Sequence, residues 1–515
     1  MKVSDPLESI VRKRGSYKLI LIGMLISVCS ALTVVAYRYA LTYADAARVS
    51  LFKLSGTVWG TVGLFAILLV LGFAAGKLTD SEPLIKGGGI PQVEGQLLGY
   101  FSPKWFRVLI KKFIGGAICM VGGLSLGRKG PSIQLGAMSA QGICAGLHRP
   151  REEQKYLIVC GACAGLAAAF NAPLAGVMFA LEEMHKNFSV RALLPSMAAA
   201  ITADIVSKQF FGIAPTLNFD IAAQLPMKYY ILYLGIGILT GVLGAGYNKI
   251  LLFTQKLYSK TGLPVWARIM IPFACAGILG LFMPEVLGSG HSIMASLTHG
   301  EYTLKLMILL LIVKFAFSMI CFCSGAPGGI FFPLLVLGSL VGCIFGKLAV
   351  LTVGLPESYL LNFMLLGMAG MFSAAVRAPL TGILLIVEMS GSLTQLIGIT
   401  VVACIACVVA NLLRSRPIYE SLLDNMTPDP ICSADSIGHS LLDLVVPYDS
   451  PISGMRMSDI GWPGSCLAVS ILRGSEQLIP HGDTVIEPGD VISVICPIGD
   501  EPLVQAAAGN TIADE

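Results

Sequence analysis

Charged residues are scarce in this sequence. Asp, Glu, Lys and Arg make up only 13% of its 515 residues, while 55% are hydrophobic; an ordinary soluble domain has about 25% charged residues. Histidine is also rare, and the six histidines form no spaced cluster: His148, His185, His291, His299, His439 and His481. No His-Glu metal motif or pair of catalytic aspartates accompanies them. These shortages exclude an ordinary soluble protein and make an intramembrane enzyme the least favoured class, so we expect no enzymatic activity, cofactor or metal.

Long apolar runs dominate instead. A bilayer-spanning helix needs roughly 20 residues, and runs of about this length include Leu19 to Val35, Val58 to Ala75, Tyr230 to Tyr247, Leu304 to Cys323 and Phe363 to Glu388. Other apolar stretches are shorter or are interrupted by glycine and proline. Such breaks are tolerated at membrane depth only inside protein or beside water. The sequence therefore predicts an all-α polytopic membrane protein, in contact with lipid, with many broken or tilted helices.

Basic residues predict the orientation in the membrane. They gather in short clusters, at 12–14, 104–112 and 414–416, and the net charge is only +4. The positive-inside rule puts the N-terminus in the cytoplasm. The first apolar run is long enough to span and no small-residue cleavage site follows it, so it is expected to be retained. We expect an integral, multi-pass protein of a bacterial plasma membrane, with both termini cytoplasmic and no nucleic-acid partner.

Two segments about 206 positions apart, 164–184 and 370–389, have similar sequences. When they are aligned by Pro173 and Pro379, the glutamates Glu182 and Glu388 coincide. This pattern indicates an internal duplication, which in membrane proteins points to a transport site at the repeat interface; the alternative is that small-residue membrane helices resemble one another by composition. We expect the two glutamates to cap or pair within the protein, with Arg128 and Arg377 as partners.

A small second domain follows the apolar region. Residues 427–436 are rich in Pro, Asp and Ser, and strand-like alternation appears beyond them. The predicted organisation is a transport domain at 1–425, a linker at 426–436 and an α+β domain at 437–515.

Four segments combine glycine and proline beside apolar runs: GGGIP at 87–91, GRKGP at 127–131, GAPGGIFFP at 325–333 and RPIY at 416–419. Glycine lets the backbone approach a ligand, and proline is accepted in the first turn of a helix. A helix that begins inside a membrane directs unpaired N–H groups and a positive dipole end towards what lies before it. Several such ends would hold an anion of low charge density. The alternative for any one segment is a packing glycine or a kink proline.

These motifs and their order resemble the CLC family of chloride channels and chloride/proton antiporters, over about residues 60 to 425. Members carry G-S-G-I-P, G-R-E-G-P, G-x-F-x-P and a late tyrosine; this chain has GGGIP, GRKGP, GIFFP and Tyr419. The resemblance implies a homodimer with two inverted halves and one chloride pathway in each subunit. It places Gly88, Gly130, Ile330, Phe331 and Tyr419 at the anion site.

Two positions depart from the family pattern. Gly88 stands where most relatives have serine, which removes one side-chain donor to the anion and leaves anion selectivity open. Lys129 stands where the family has its gating glutamate, and a lysine cannot imitate a bound anion or offer a neutral and a negative form. Glu183, in LEEM, matches the internal proton glutamate.

We therefore expect passive or weakly proton-coupled chloride transport. Two alternatives remain: a chloride/proton antiporter that uses Glu183, and an anion-responsive membrane sensor. Lys129 itself has an alternative placement, in which it points into lipid headgroups.

The C-terminal segment from Ile471 to Cys496 resembles the TrkA-C domain of potassium-transport regulators. The resemblance implies a small-molecule ligand or dimerisation there, and a purely stabilising role is the alternative.

Overall fold

The chain forms two compact units, Met1–Met426 and Thr427–Glu515. The structure is a computed structural model that describes residues 6–186, 190–215, 217, 222, 224–300, 302–426, 439–447, 450–462, 465–473, 476–497, 503, 504 and 507. Apart from its first residue, the predicted linker at 426–436 lies outside the described residues and stays a prediction.

The described part of the first unit contains seventeen α-helices, of which many are short or interrupted. They are α1 (Pro6–Phe52), α2 (Val58–Ser81), α3 (Ile90–Leu98), α4 (Trp105–Val121), α5 (Lys129–Gly146), α6 (Arg151–Phe170), α7 (Pro173–Phe179), α8 (Val190–Phe211), α9 (Ile231–Lys260), α10 (Val265–Phe282), α11 (His291–Thr298), α12 (Leu304–Cys323), α13 (Phe331–Val353), α14 (Leu360–Val376), α15 (Pro379–Ser390), α16 (Leu396–Leu412) and α17 (Ile418–Asp424). Shorter helical turns in this unit are Lys53–Gly56, Pro83–Ile85, Met227–Tyr229, Pro284–Val286 and Glu357–Tyr359, and a π-helical turn, Ala180–His185, continues α7. Met457–Asp459 is a similar turn in the second unit. Seven of the described helices are long and apolar enough to cross a membrane, by length and composition.

The helices repeat in two halves, α1–α8 and α9–α16. In the first half α5 packs against α6 and α1 against α8; in the second half α13 packs against α14 and α9 against α16. Across the halves, α2 contacts α10 and α7 contacts α15, which are equivalent helices. The duplication inferred from two short segments therefore extends over most of the first unit.

Two buried lysines occupy equivalent places in the halves. Lys112 of α4 donates to the carbonyls of Ile85 and Gly87, at 2.8 and 2.6 Å. In the second half, Lys314 of α12 donates to the corresponding backbone, the carbonyls of Val286 and Gly288, at 2.7 Å each. A buried ammonium is costly unless its donors are satisfied, and here it ties a long helix to the turn before a short one.

Glycines allow the main helix pairs to pack closely. A Cβ on Gly136 of α5 would lie 2.1 Å from the Gly161 carbonyl oxygen of α6, and one on Gly338 of α13 would lie 2.6 Å from the Gly367 carbonyl oxygen of α14. Small residues at such crossings let membrane helices approach at backbone distance. A larger side chain at either position would force the pair apart.

Glu182 and Glu388 cap each other's half of the repeat. Glu182 accepts from the amides of Leu380 and Thr381 at the start of α15, at 3.2 and 2.8 Å, and from the Thr381 hydroxyl. Glu388 accepts from the amides of Leu174 and Ala175 at the start of α7, at 3.0 and 2.8 Å. Carboxylates at helix N-termini satisfy free N–H groups and oppose the positive end of the dipole.

The expected arginine partners were wrong. Arg128 contacts His291, and Arg377 donates to Cys407, Asn411 and Ser415. The free amides of the facing helix take the place of the arginines.

The second unit contains a four-stranded antiparallel sheet in the order β1-β4-β2-β3. Its strands are β1 (His439–Val445), β2 (Leu467–Arg473), β3 (Glu476–Leu478) and β4 (Val491–Pro497). Along β4, alternate residues Ile492, Val494 and Cys496 are fully buried, as the period of two in a strand requires.

An ion pair between the partly exposed Arg473 and the buried Asp490 joins β2 of this unit to the turn before β4. The Arg473 guanidinium donates to both carboxylate oxygens of Asp490 at 2.8 Å, and the Glu487 amide donates to Asp490 at 2.9 Å. Although burial alone raises it, these hydrogen bonds bring the pKa of the Asp490 carboxyl below its ordinary value. The ionised form is therefore stabilised by folding.

We expect Glu388→Gln to destabilise the first unit by about 1–3 kcal/mol, because two amides lose a charged acceptor. Thermal unfolding in detergent measures the change. The matched control is Glu357→Gln, whose carboxylate is 72% exposed and, among the described residues, pairs with Lys347. Equal unfolding temperatures for the two variants would contradict the capping role.

Asp490 should make the stability of the second unit depend on pH. Since its folded pKa is lowered, its contribution is present above the unfolded pKa of about 3.9 and is lost as pH falls through the folded value. Hydrogen exchange of β2 and β4 in the intact protein, corrected for intrinsic rates, measures this loss. We expect Asp490→Asn to remove about 1–3 kcal/mol at pH 6, and Asp483→Asn to change nothing; an unaltered acid profile in Asp490→Asn would refute the assignment.

Candidate functional site

Three glycine-rich loops are hydrogen-bonded to one another inside the first unit. Gly127 and Gly329 exchange backbone hydrogen bonds of 2.6 and 2.9 Å, and the Gly328 amide donates to the Gly87 carbonyl at 2.9 Å. These loops precede α3, α5 and α13, so the N-termini of three helices from both halves meet at one place. We call this meeting point the loop junction, comprising residues 87–89, 127–130 and 328–331.

The backbones approach closely at the loop junction, where glycine leaves the most room. A Cβ on Gly88 would lie 3.3 Å from the Gly329 Cα. A Cβ on Gly130 would lie 3.2 Å from the Gly88 carbonyl oxygen and 3.3 Å from the Gly329 Cα. The approach also uses a left-handed turn at Gly89, with φ 92°, a conformation that glycine adopts without strain.

The loop junction presents amides without partners. Within the described residues, the N–H groups of Gly88, Gly130, Ile330 and Phe331 donate no hydrogen bond. Buried backbone donors are almost always paired, with protein, water or a ligand. The dipoles of α5 and α13, helices of 18 and 23 residues, add positive potential at the same place. The arrangement suits an anion.

Lys129 is the first residue of α5, and its side chain is buried, with 1% exposed. Its Nζ lies 3.5 Å from the ring centroid of Phe170 and 4.6 Å from that of Phe332. No residue in the described part of the chain accepts a hydrogen bond from it. The alternative that Lys129 points into headgroups is therefore wrong; two aromatic faces hold the side chain inside the protein.

A histidine lies on the same aromatic ring. His291 stacks on Phe332 with centroids 4.2 Å apart and an interplanar angle of 19°. Its Nε2 lies 3.1 Å from Nη2 of Arg128, and its Nδ1 lies 2.8 Å from the Ser289 hydroxyl. Because arginine only donates, Nε2 must accept and the imidazole is neutral. Arg128 and Lys129 are two of the basic residues next to the loop junction, and Lys112, which donates to the Gly87 carbonyl, is a third.

Tyr419 and Glu183 are buried in other elements. Tyr419 lies on α17, which packs against α3, and its hydroxyl has no hydrogen-bond partner in the described structure. Glu183 lies on the π-helical turn Ala180–His185, with 5% exposed, and its Oε1 is likewise unpaired among the described residues. Such turns are frequent at functional sites. Both groups retain hydrogen-bonding capacity inside the protein.

A lysine bridge near Glu183 was missed from the sequence. Lys186, which ends the π-helical turn, contacts Glu94 of α3 at 2.8 Å and Glu420 of α17 at 2.5 Å. It therefore ties together the helix that follows Gly88 and the helix that carries Tyr419. No local pattern predicts such a bridge, because its three members are far apart in sequence.

Phe170 and the lysines Lys112 and Lys314 were also missed. Phe170 ends α6 and gave no signal that distinguishes it from a packing aromatic. Lys314 did give one, because a lone charge inside an apolar run, here LMILLLIVKFAF at 306–317, marks a group with a buried partner. Lys112 gave none, since it follows Lys111 in a basic cluster.

Known proteins resemble this chain in sequence. The voltage gated chloride channel family matches residues 62–411, and the TrkA-C domain matches residues 441–509. The H(+)/Cl(-) exchange transporter ClcA of Vibrio cholerae is 37% identical over 356 residues, which cover 66% of this chain and 74% of that protein. The transporter of the same name from Salmonella arizonae is 36% identical over 373 residues, 70% of this chain and 77% of that protein.

A solved structure has the same fold. The slow cyanobacterial Cl-/H+ antiporter superimposes with a TM-score of 0.75 and 28% identity, over 79% of this chain and 98% of that one. The predicted fold class, an inverted repeat of membrane helices followed by a small α+β domain, is thereby confirmed. With its multi-pass apolar helices, its family match over more than half of its length and its relatives above 30% identity, this chain belongs to the voltage gated chloride channel (CLC) family and ends in a TrkA-C domain.

Proposed function

We propose that this protein carries chloride across the membrane through one pathway in each subunit of a homodimer, without tight coupling to protons. The observation that carries the proposal is the buried, hydrogen-bond-free ammonium of Lys129 beside the unpaired amides of the loop junction. The names of the relatives support chloride as the transported anion.

The amides provide a site that an anion can enter and leave. Gly88, Gly130, Ile330 and Phe331 offer partial charges instead of a full cation, so they replace the hydration of a monovalent anion without holding it permanently. In this proposal the Tyr419 hydroxyl donates to the same anion. With glycine at position 88, one side-chain donor fewer is available.

Lys129 changes the electrostatics of this pathway. A carboxylate in its place would compete with chloride for the amides and carry a proton when neutral, whereas the ammonium is attracted to chloride. The aromatic faces of Phe170 and Phe332 hold it at 3.5 and 4.6 Å, near the first turn of α5. In this position it raises the local chloride concentration and cannot pass a proton between Glu183 and the opposite side by the glutamate route.

Two alternatives have specific support. Glu183 is buried with an unpaired oxygen, which favours a residual proton pathway and hence an antiporter, in line with the relatives' names. A sensor that binds an anion without flux has the TrkA-C domain in its favour. In each case we place both termini and the TrkA-C domain in the cytoplasm, on the basis of the basic clusters.

We expect proteoliposomes with the unmodified protein to release chloride without pumping protons, and Lys129→Glu to pump protons against their gradient as chloride leaves. The reason is that the carboxylate restores a group that is neutral or negative near ambient pH. Chloride electrodes and an internal pH dye measure the two fluxes together.

The matched control is the double variant Lys129→Glu, Glu183→Gln, which should release chloride but lose the proton flux. Stoichiometric proton pumping by the unmodified protein would overturn the uncoupled pathway. Chloride flux absent from both the unmodified protein and Lys129→Glu would favour the sensor.

Gly88→Ser should raise the preference for chloride over nitrate, by about three- to tenfold if the hydroxyl supplies one net hydrogen bond of about 1 kcal/mol. The added Cβ lies 3.3 Å from the Gly329 Cα, so the loop must yield by a few tenths of an ångström. Reversal potentials or exchange fluxes in the two anions measure the ratio. Gly246→Ser is the control, since a Cβ there meets no atom within 4 Å; equal ratios in the two variants would contradict the role of position 88.

A further inference from the structure

A cavity of about 530 Å³ adjoins the loop junction inside the first unit. Lys86 and Gly87 form part of its wall, and the other lining residues come from the turn before them, from α3 and the loop that follows it, from α9 and α10, from the end of α12 and the loop that follows it, and from α17 and the two residues after it. A volume in this range fits a small organic molecule and greatly exceeds what a chloride ion occupies. The cavity therefore has room for an occupant larger than the transported ion.

Three cationic side chains line this cavity: Lys86, Lys256 and Arg268. No aspartate or glutamate is among its described lining residues. A concave wall with charge of one sign concentrates the opposite ion. The cavity is thus selective for anions by charge.

The lysines are available for a ligand. Neither the Lys86 nor the Lys256 ammonium makes a hydrogen bond or ion pair within the described part of the chain. Arg268 uses its Nε for the Leu263 carbonyl at 2.6 Å, and its two terminal nitrogens keep their donors. A guanidinium edge with two ammonium groups matches the several oxygens of a phosphate group.

We propose that the cavity binds an organic anion that carries phosphate, and that its occupant obstructs the anion pathway from this side. Three cations balance an anion of two or more charges, whereas a monovalent ion would leave most of them unpaired. Gly87 lies in the cavity wall and Gly88, the next residue, lies in the loop junction, so a ligand held here sits across the approach to the anion site. The obstruction rests on the proposed transport function; the binding does not.

Isothermal titration of the purified full-length protein with ADP tests the binding. We expect saturable binding that Lys86→Gln with Lys256→Gln weakens by about tenfold or more. The matched control is Lys260→Gln, an exposed lysine one turn further along α9 and outside the cavity lining, which should bind as the unmodified protein does. Thermal unfolding of each variant establishes that it is folded, and Arg268→Lys, which keeps the charge, supplies a second variant.

Two further titrations, with inorganic phosphate and with a lipid, identify the source of the phosphate group. Inorganic phosphate should bind more weakly than ADP, and equal affinity would overturn an organic ligand. The lipid tested is soluble short-chain phosphatidylglycerol. If this lipid binds and ADP does not, and the double variant weakens its binding, the cavity binds phosphate and the source of the phosphate is a lipid. Absence of saturable binding by both ADP and the lipid, or binding that the double variant leaves unchanged, would overturn the site.

Chloride efflux separates the obstruction from the transport proposal. ADP should slow chloride efflux in the unmodified protein and in Lys260→Gln but not in the double lysine variant. Binding without any slowing of a measurable efflux would overturn the obstruction. A protein that binds ADP but has no chloride efflux would contradict the proposed transport and leave the binding site established by titration.

Discussion

The site depends on a small set of backbone hydrogen bonds between loops that are far apart in sequence. Gly127 and Gly329 exchange two of them, and Gly328 adds a third by donating to Gly87. These hydrogen bonds pair some of the backbone groups of each loop. The next amides, at the helix N-termini, have no partner among the described residues. A buried donor without a partner is costly, and these amides support the proposal that an anion binds here.

The buried lysines of the first unit differ in whether they find hydrogen-bond acceptors. Lys112 and Lys314 each satisfy two carbonyls and hold the turns before α3 and α11. Lys129 has no such acceptor and rests on aromatic faces. The first two each have two carbonyl acceptors, whereas the Lys129 Nζ has no acceptor among the described residues. This difference supports the proposed role of Lys129 in anion transport.

The glutamates of the two halves show why membrane interiors favour capping over ion pairs here. Glu182 and Glu388 each take two amides of the facing half. These amides are already inside the protein and need hydrogen-bond acceptors. A carboxylate that reaches them accepts hydrogen bonds from both amides. An arginine partner would have left the amides free, which is why the prediction from charge alone failed.

The sequence by itself determined the membrane location, the duplication, the second domain and the glycine loops, because hydropathy, repeats and glycine-proline motifs are local properties. It also singled out Lys129 and Glu183 by their place in motifs. Only the tertiary structure decided what Lys129 contacts, which groups Glu182 and Glu388 cap, and that Lys186 joins α3 to α17. Those contacts join residues from different helices, often from different halves, and their partners are selected by three-dimensional packing, which no single stretch of sequence encodes.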